Sequence, residues 1–113
     1  MTPKKLARTA GNLALEKNGF DVFLLDIRKL SDMANYFVIC SGSVDIHIKA
    51  IADNIIEGLK KKDVRAWHIE GYKNLQWVLL DYVSVVVHIF QPQIRSYYSL
   101  EKLWGDAPLE KLG

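Results

Sequence analysis

The chain has little of what most functional signatures require. Cys40 is the only cysteine among 113 residues, so no internal disulfide can form, and its place in the apolar run Tyr36 to Cys40 suits a buried thiol in a reducing compartment. No apolar stretch approaches the roughly 20 residues that a membrane-spanning helix needs. The segment that opens Met1-Thr2-Pro3-Lys4-Lys5-Leu6 lacks the apolar core and cleavage site of a secretory signal. The expectation is a soluble cytoplasmic protein with no membrane partner. Charge of one sign is scarce as well. Fifteen Lys and Arg against thirteen Asp and Glu leave +2, too little to imply binding through a neutralised phosphate backbone, so no direct nucleic-acid readout is expected.

Catalytic equipment is missing too. The chain holds no Gly-rich phosphate loop with Lys, no dinucleotide fingerprint and no nucleophile elbow. His47, His68 and His88 fall on a helix start and two separate strands, without the closely spaced ligand pair of a metal site. Ser41-Gly42-Ser43 does lie between a strand and a helix, where free N–H groups would hold an anion. Phosphoryl chemistry would add a need for two or three carboxylates converging on Mg²⁺. The strands that follow offer only Asp81, and Asp45 and Asp53 belong to the helix. No cofactor, no metal and no enzymatic activity are therefore expected. A nucleotidyltransferase-like enzyme using the Ser41-Gly42-Ser43 turn is the alternative.

What is present describes one folded unit. Half the residues are apolar and a quarter charged, a composition that fits a packed core in a chain long enough to bury about two-thirds of its unfolded surface. Leu6, Ala7, Ala10, Leu13 and Ala14 recur at helical spacing after Thr2-Pro3, and Asn18-Gly19 stops them. Strands are predicted over Val22 to Ile27 and Tyr36 to Cys40. Ile48, Ile51, Ala52, Ile55 and Leu59 then mark one face of a helix over about 44 to 62. Its terminal Lys60, Lys61 and Lys62 complement the negative end of the helix dipole. Arg65 to Glu70, Gln76 to Tyr82 and Ser84 to Phe90 read as an antiparallel meander, and a helical segment from about Gln93 to Leu103 follows Pro92. The fold class is α/β: a single mixed sheet of about five strands with helices packed on it, in one domain over residues 1–105, with a loose tail over 106–113.

Suppose Tyr82-Val83 is a two-residue turn, with Asp81 opposite Ser84, Leu79 opposite Val86 and Trp77 opposite His88. Side chains then sort by period two. Val78, Leu80, Val85 and Val87 form an aliphatic face for the helices. Trp77, Leu79, Asp81, Ser84, Val86 and His88 form a mixed face with an aromatic anchor, the composition of a protein-binding patch. Neither Tyr82 nor Val83 is a residue that such a turn favours.

In order along the chain, Tyr36-Phe37-Val38-Ile39-Cys40-Ser41-Gly42-Ser43, Ala50-Ile51-Ala52-Asp53, Glu70-Gly71, Trp77-Val78-Leu79-Leu80-Asp81, Val85-Val86-Val87-His88 and Arg95 to Trp104 stand at characteristic spacing. Together they resemble the ribosomal silencing factor family, also called Iojap-related, over nearly the whole chain. The resemblance implies a nucleotidyltransferase-like fold without the catalytic carboxylates. It implies binding to the large ribosomal subunit through its protein number fourteen, which sterically blocks subunit joining and represses translation when nutrients are limiting. A role in large-subunit assembly is a further alternative. By the same resemblance the partner-binding residues are Trp77 as anchor, Leu79 beside it, Asp81 as a charge toward a basic partner, and His88, with Glu70 and Tyr72 nearby. Arg95, Tyr98 and Trp104 would extend that surface or pack the last helix. Family members tend to pair, and an exposed sheet edge would serve a homodimer. Two departures stand out: Asn35 where the family has Asp, and Val83-Ser84 where it has Gly-Asp. The second lies in the tight turn beside the proposed face.

Overall fold

Thr2 starts the first helix. Its side-chain oxygen accepts the Lys5 N–H at 3.2 Å, and Pro3 occupies the first turn, where no N–H is needed. Helix α1 (Pro3–Glu16) buries Leu6, Ala7, Ala10 and Ala14, and the chain leaves it through Asn18 in the left-handed region, φ 62°. Helix α2 (Asp45–Lys60) buries Ile48, Ile51, Ala52, Ile55 and Leu59 completely, the stripe that the spacing predicts. The two helices touch closely where Gly58 leaves room for Leu13, since a Cβ at residue 58 would lie 2.6 Å from the Leu13 side chain. Asn54 adds a hydrogen bond to the Leu13 carbonyl at 2.7 Å.

The computed structural model describes residues 1–98, 105 and 107–113. Six strands form one sheet: β1 (Phe20–Asp26), β2 (Tyr36–Ser41), β3 (His68–Glu70), β4 (Trp77–Asp81), β5 (Val85–Phe90) and β6 (Leu109–Lys111), in spatial order β3-β4-β5-β2-β1-β6. β2 and β5 run parallel across the α2 crossover, and every other pair is antiparallel, so the sheet is mixed as expected. The third strand is shorter than the sequence suggests, starting at His68 rather than Arg65.

The tail departs from expectation. Leu109–Lys111 pair with Leu25, Leu24 and Phe23 of β1, extended by Leu112 N–H to the Val22 carbonyl at 2.8 Å. An ion pair between Arg8 and Glu110 at 2.7 Å ties this strand to α1. A three-residue edge strand with two charges carries no period-two signal, so its pairing is set by β1 and not by its own sequence.

The turn between β4 and β5 also differs. The pairs are Asp81 with Val86, Leu79 with His88 and Trp77 with Phe90, and Tyr82 N–H donates to the Val85 carbonyl at 2.8 Å. The turn residues are therefore Val83-Ser84, one step further along, and the register moves by two. Because side chains alternate with period two, that shift leaves every residue on the face expected of it.

Each face has its own core. Behind the sheet, α1 and α2 cover Val22, Leu24, Val38, Val78, Leu80, Val85, Val87 and Ile89. In front, Leu25, Ile27, Ala34, Ile39 and Phe90 form a smaller cluster joined by Phe23, Phe37, Trp77, Val86, Ile94 and Ala107. Helix α3 (Pro92–Tyr98) is fixed at this end by Arg95, whose buried guanidinium donates to the Asp21 carbonyl at 2.7 Å and to Ser41 Oγ at 2.8 Å, and lies 5.4 Å from the Phe23 ring centre. Arg95 thus packs the helix. Residues 99–104, with Trp104 among them, and the side chain of Tyr98 lie outside what the structure describes.

Candidate partner-binding face

Cross-strand pairing lines up the front of the sheet in rows. Glu70, Leu79, His88 and Ile39 form one row, and His68, Asp81, Val86 and Phe37 the next. Along β4, Trp77, Leu79 and Asp81 are half-buried while Val78 and Leu80 between them are fully buried. The front cluster closes the β1–β2 side of this face, so its open part lies over β3, β4 and the start of β5.

His88 lies beneath the face. It is 4 % exposed and enclosed by Phe37, Trp77 and Phe90, with ring centres 4.8, 6.0 and 6.1 Å away. The Trp77 indole N–H donates to His88 Nδ1 at 3.1 Å. An indole only donates, so Nδ1 is the acceptor and the imidazole proton resides on Nε2. That Nε2–H is buried and has no hydrogen-bond partner among the described residues. Burial pushes the His88 pKa down to about 4, so the ring is neutral at physiological pH. Its geometry orients Trp77 rather than offering a surface contact.

Asp81 has two duties. Its Oδ1 accepts the Val83 N–H at 2.8 Å, which holds the turn, and the half-exposed carboxylate remains on the open face. Glu70 is exposed on edge strand β3 and 3.0 Å from His68 Nε2. Tyr72 is directed elsewhere. Its hydroxyl donates to the Asp53 carboxylate of α2, and its ring packs against the rear core. Lys49 joins the same carboxylate at 2.8 Å. Burial raises the Asp53 pKa, but the hydrogen bonds from Lys49 and Tyr72 outweigh that and leave it below the usual carboxylate range. Tyr72 therefore tethers the loop before β4 from the opposite side of the sheet. Gly71 opens that loop with φ 78°, and a Cβ there would collide with the Trp77 carbonyl.

The strand-to-helix turn of the enzymatic alternative has its groups engaged. Gly42 N–H donates to the Phe90 carbonyl at 2.9 Å and Ser43 N–H to His47 Nδ1 at 2.9 Å, while Ser41 Oγ accepts from Arg95. His47 Nε2 in turn donates to the Lys17 carbonyl at 2.7 Å. Among the described residues no three His, Cys, Asp or Glu side chains converge as a metal site. Burial pushes the Cys40 thiol up to about 12, which makes it unreactive. Among the described residues no helix is long and apolar enough to cross a membrane.

A sequence profile described as ribosomal silencing factor during starvation matches residues 1–113. A protein of Bacillus subtilis named ribosomal silencing factor RsfS is 40% identical over 112 residues, covering 99% of this chain and 95% of the relative. A mouse protein named mitochondrial assembly of ribosomal large subunit protein 1 is 30% identical over 96 residues, covering 82% of this chain and 42% of that one. A crystal structure of a protein from Chromobacterium violaceum superposes with a TM-score of 0.90 at 31% identity, covering 93% of this chain and 88% of that one.

Proposed function

Because the chain belongs to the ribosomal silencing factor family, a regulatory family and not one of enzymes, we propose that it binds the large ribosomal subunit through ribosomal protein number fourteen and blocks subunit joining. The contact is made by Trp77, Leu79 and Asp81, with Glu70 at its margin and His88 as the support that sets the Trp77 ring. Repression is steric. A bound copy occupies the space where the small subunit would bridge to the large one, so the population of joined ribosomes falls when nutrients are limiting. The place of action is the cytoplasm.

The observation that carries this reading is the half-exposed Trp77-Leu79-Asp81 ridge on a rigid strand, its indole fixed by a buried imidazole. An aromatic anchor already held in one rotamer loses little entropy on binding. Asp81 suits the basic surface that ribosomal proteins expose. Co-sedimentation with purified large subunits tests it. Wild type should pellet with the subunit and reduce subunit joining in a gradient, and Trp77→Ala should bind at least about 30-fold more weakly, as befits an interface anchor. Equal joining with and without excess wild-type protein would refute the proposal.

The name of the mouse relative favours a second reading, in which the same face recognises the large subunit during its assembly. Retention on immature subunit particles, with no effect on the joining of mature ones, would mark that role.

A further inference from the structure

We propose that the end of α2 and the segment after it, Lys60, Lys61, Lys62, Arg65 and Trp67, form a second contact surface that takes single-stranded or looped RNA through its phosphates and one stacked base. The starting point is where the charge is. Residues 60–65 hold four of the fifteen cationic side chains and one of the thirteen acidic ones, Asp63, for a local +3. The remainder of the chain is then at −1. A small net charge thus conceals one basic patch.

The helix dipole explains only part of it. α2 ends at Lys60 with Lys61 as its cap, and the dipole's influence fades within the last turn. Lys62 and Arg65 lie beyond that limit, on either side of Asp63, where a φ of 60° redirects the chain. All four cations are exposed, and none forms an ion pair among the described residues. Lys60 and Arg65 nevertheless line one hollow of about 200 Å³ with Ile56, Ala66 and Ile69, so their charges address a common site.

Trp67 supplies the second component. Its side chain is 75% exposed, against a half-buried Trp77, although its backbone is anchored by N–H to the Asp81 carbonyl at 2.8 Å. A solvated indole two residues along the chain from Arg65, on an anchored backbone, suits a nucleobase, whose stacking on an aromatic is worth about 1–3 kcal/mol. Phosphates would meet the lysines and Arg65 without any reading of sequence. The choice of RNA rests on the proposed ribosomal function, since Trp67 is joined through its backbone to Asp81 and so stands at the edge of the proposed docking face, close to whatever surrounds the ribosomal protein.

The test uses the full chain and a fluorescent single-stranded RNA of about a dozen nucleotides, a length one such surface covers, with anisotropy read as salt is raised. Lys61→Ala/Lys62→Ala should weaken binding about ten-fold and flatten the log–log salt slope by about 0.7 per lysine removed. Trp67→Ala should cost about ten-fold, while Trp67→Phe retains stacking and most of the affinity. Trp77→Ala should leave RNA binding unchanged. Absence of wild-type binding overturns the proposal. So does equal binding by the lysine and Trp67→Ala variants, or equally tight capture by phosphatidylserine vesicles. Co-sedimentation with large subunits is read separately: if RNA binding follows the stated pattern while the subunit is not bound, the silencing reading fails and this surface stands.

Discussion

Along β4, Val78 and Leu80 are sealed beneath the helices, while Trp77, Leu79 and Asp81 between them stay half-exposed on the opposite side. The rear face is mostly aliphatic, with Tyr36 and Tyr82 at its margins, and is covered by α1 and α2, with most side chains at zero exposure. The front is aromatic, partly open, and includes a neutral histidine whose Nε2–H has no described partner. The rear fits the demands of stability alone, where shape and volume decide. Each core buries a polar group without a described partner, the Tyr82 hydroxyl behind and the His88 Nε2–H in front, at about 1–3 kcal/mol against the fold. Only in front does the group concerned also position a neighbour, since His88 accepts the Trp77 indole N–H.

The contrast breaks first at the rear. Leu80→Ala removes a fully buried side chain from between the helices and the sheet, and should lower the unfolding free energy in urea by about 3 kcal/mol. Leu79→Ala, one residue away but half-buried, should cost about 1 kcal/mol or less by the smaller area it removes from water, while weakening large-subunit binding. If the two substitutions cost the same stability, the division between a structural rear and a working front is wrong.

Acid sharpens the comparison, since the rear core has no group that titrates near neutrality. At His88 the folded pKa of about 4 lies below the 6.5 of an unhindered imidazole. The unfolded chain therefore binds a proton that the folded chain refuses, and stability falls as pH drops from about 6.5 to about 4, where the loss levels off. The full loss from this residue is about 3 kcal/mol. Urea midpoints across this range should fall more steeply for wild type than for His88→Phe, in which the imidazole is absent. Parallel curves would place His88 in a more hydrated setting than the aromatic enclosure described above.

The same two faces show which features of the fold are legible in the sequence. The helical stripe of α2 and the alternation of β4 and β5 are local periodicities, so they identify the faces even with the hairpin turn misplaced by one residue. Long-range pairing is less accessible. Leu109–Lys111 becomes a strand only because β1 has an open edge, and Arg95 becomes buried because Asp21 and Ser41 offer it oxygens. Within the candidate site, Trp77, Leu79 and Asp81 follow from period two. His88 follows as to side but not as to depth, because its burial comes from Phe37 and Phe90, brought beside it by the sheet. Tyr72 lies in a loop, where alternation gives no guidance, and its direction is decided by Asp53 on a helix 19 residues earlier. Exposed Trp67 gives no signal of its own, since nothing in a local pattern distinguishes a solvated tryptophan from a core one.

The smallest effect is expected at the turn that joins the two strands. Val83 adopts φ 71°, a region costly for a β-branched residue, and it is the first of the two turn residues. Positive φ at that position, with none at Ser84, is the pattern that favours glycine there, and glycine is what the family resemblance leads one to expect. Val83 is 62% exposed, so its removal sacrifices little packing. Asp81 would still accept the residue-83 N–H and hold the turn. Val83→Gly should therefore raise the unfolding free energy by about 1 kcal/mol, the relief of strain exceeding the extra chain entropy of glycine. If the turn also steadies Asp81 on the front face, large-subunit binding should tighten in step; a gain in stability with unchanged binding would confine the effect of the turn to the hairpin itself.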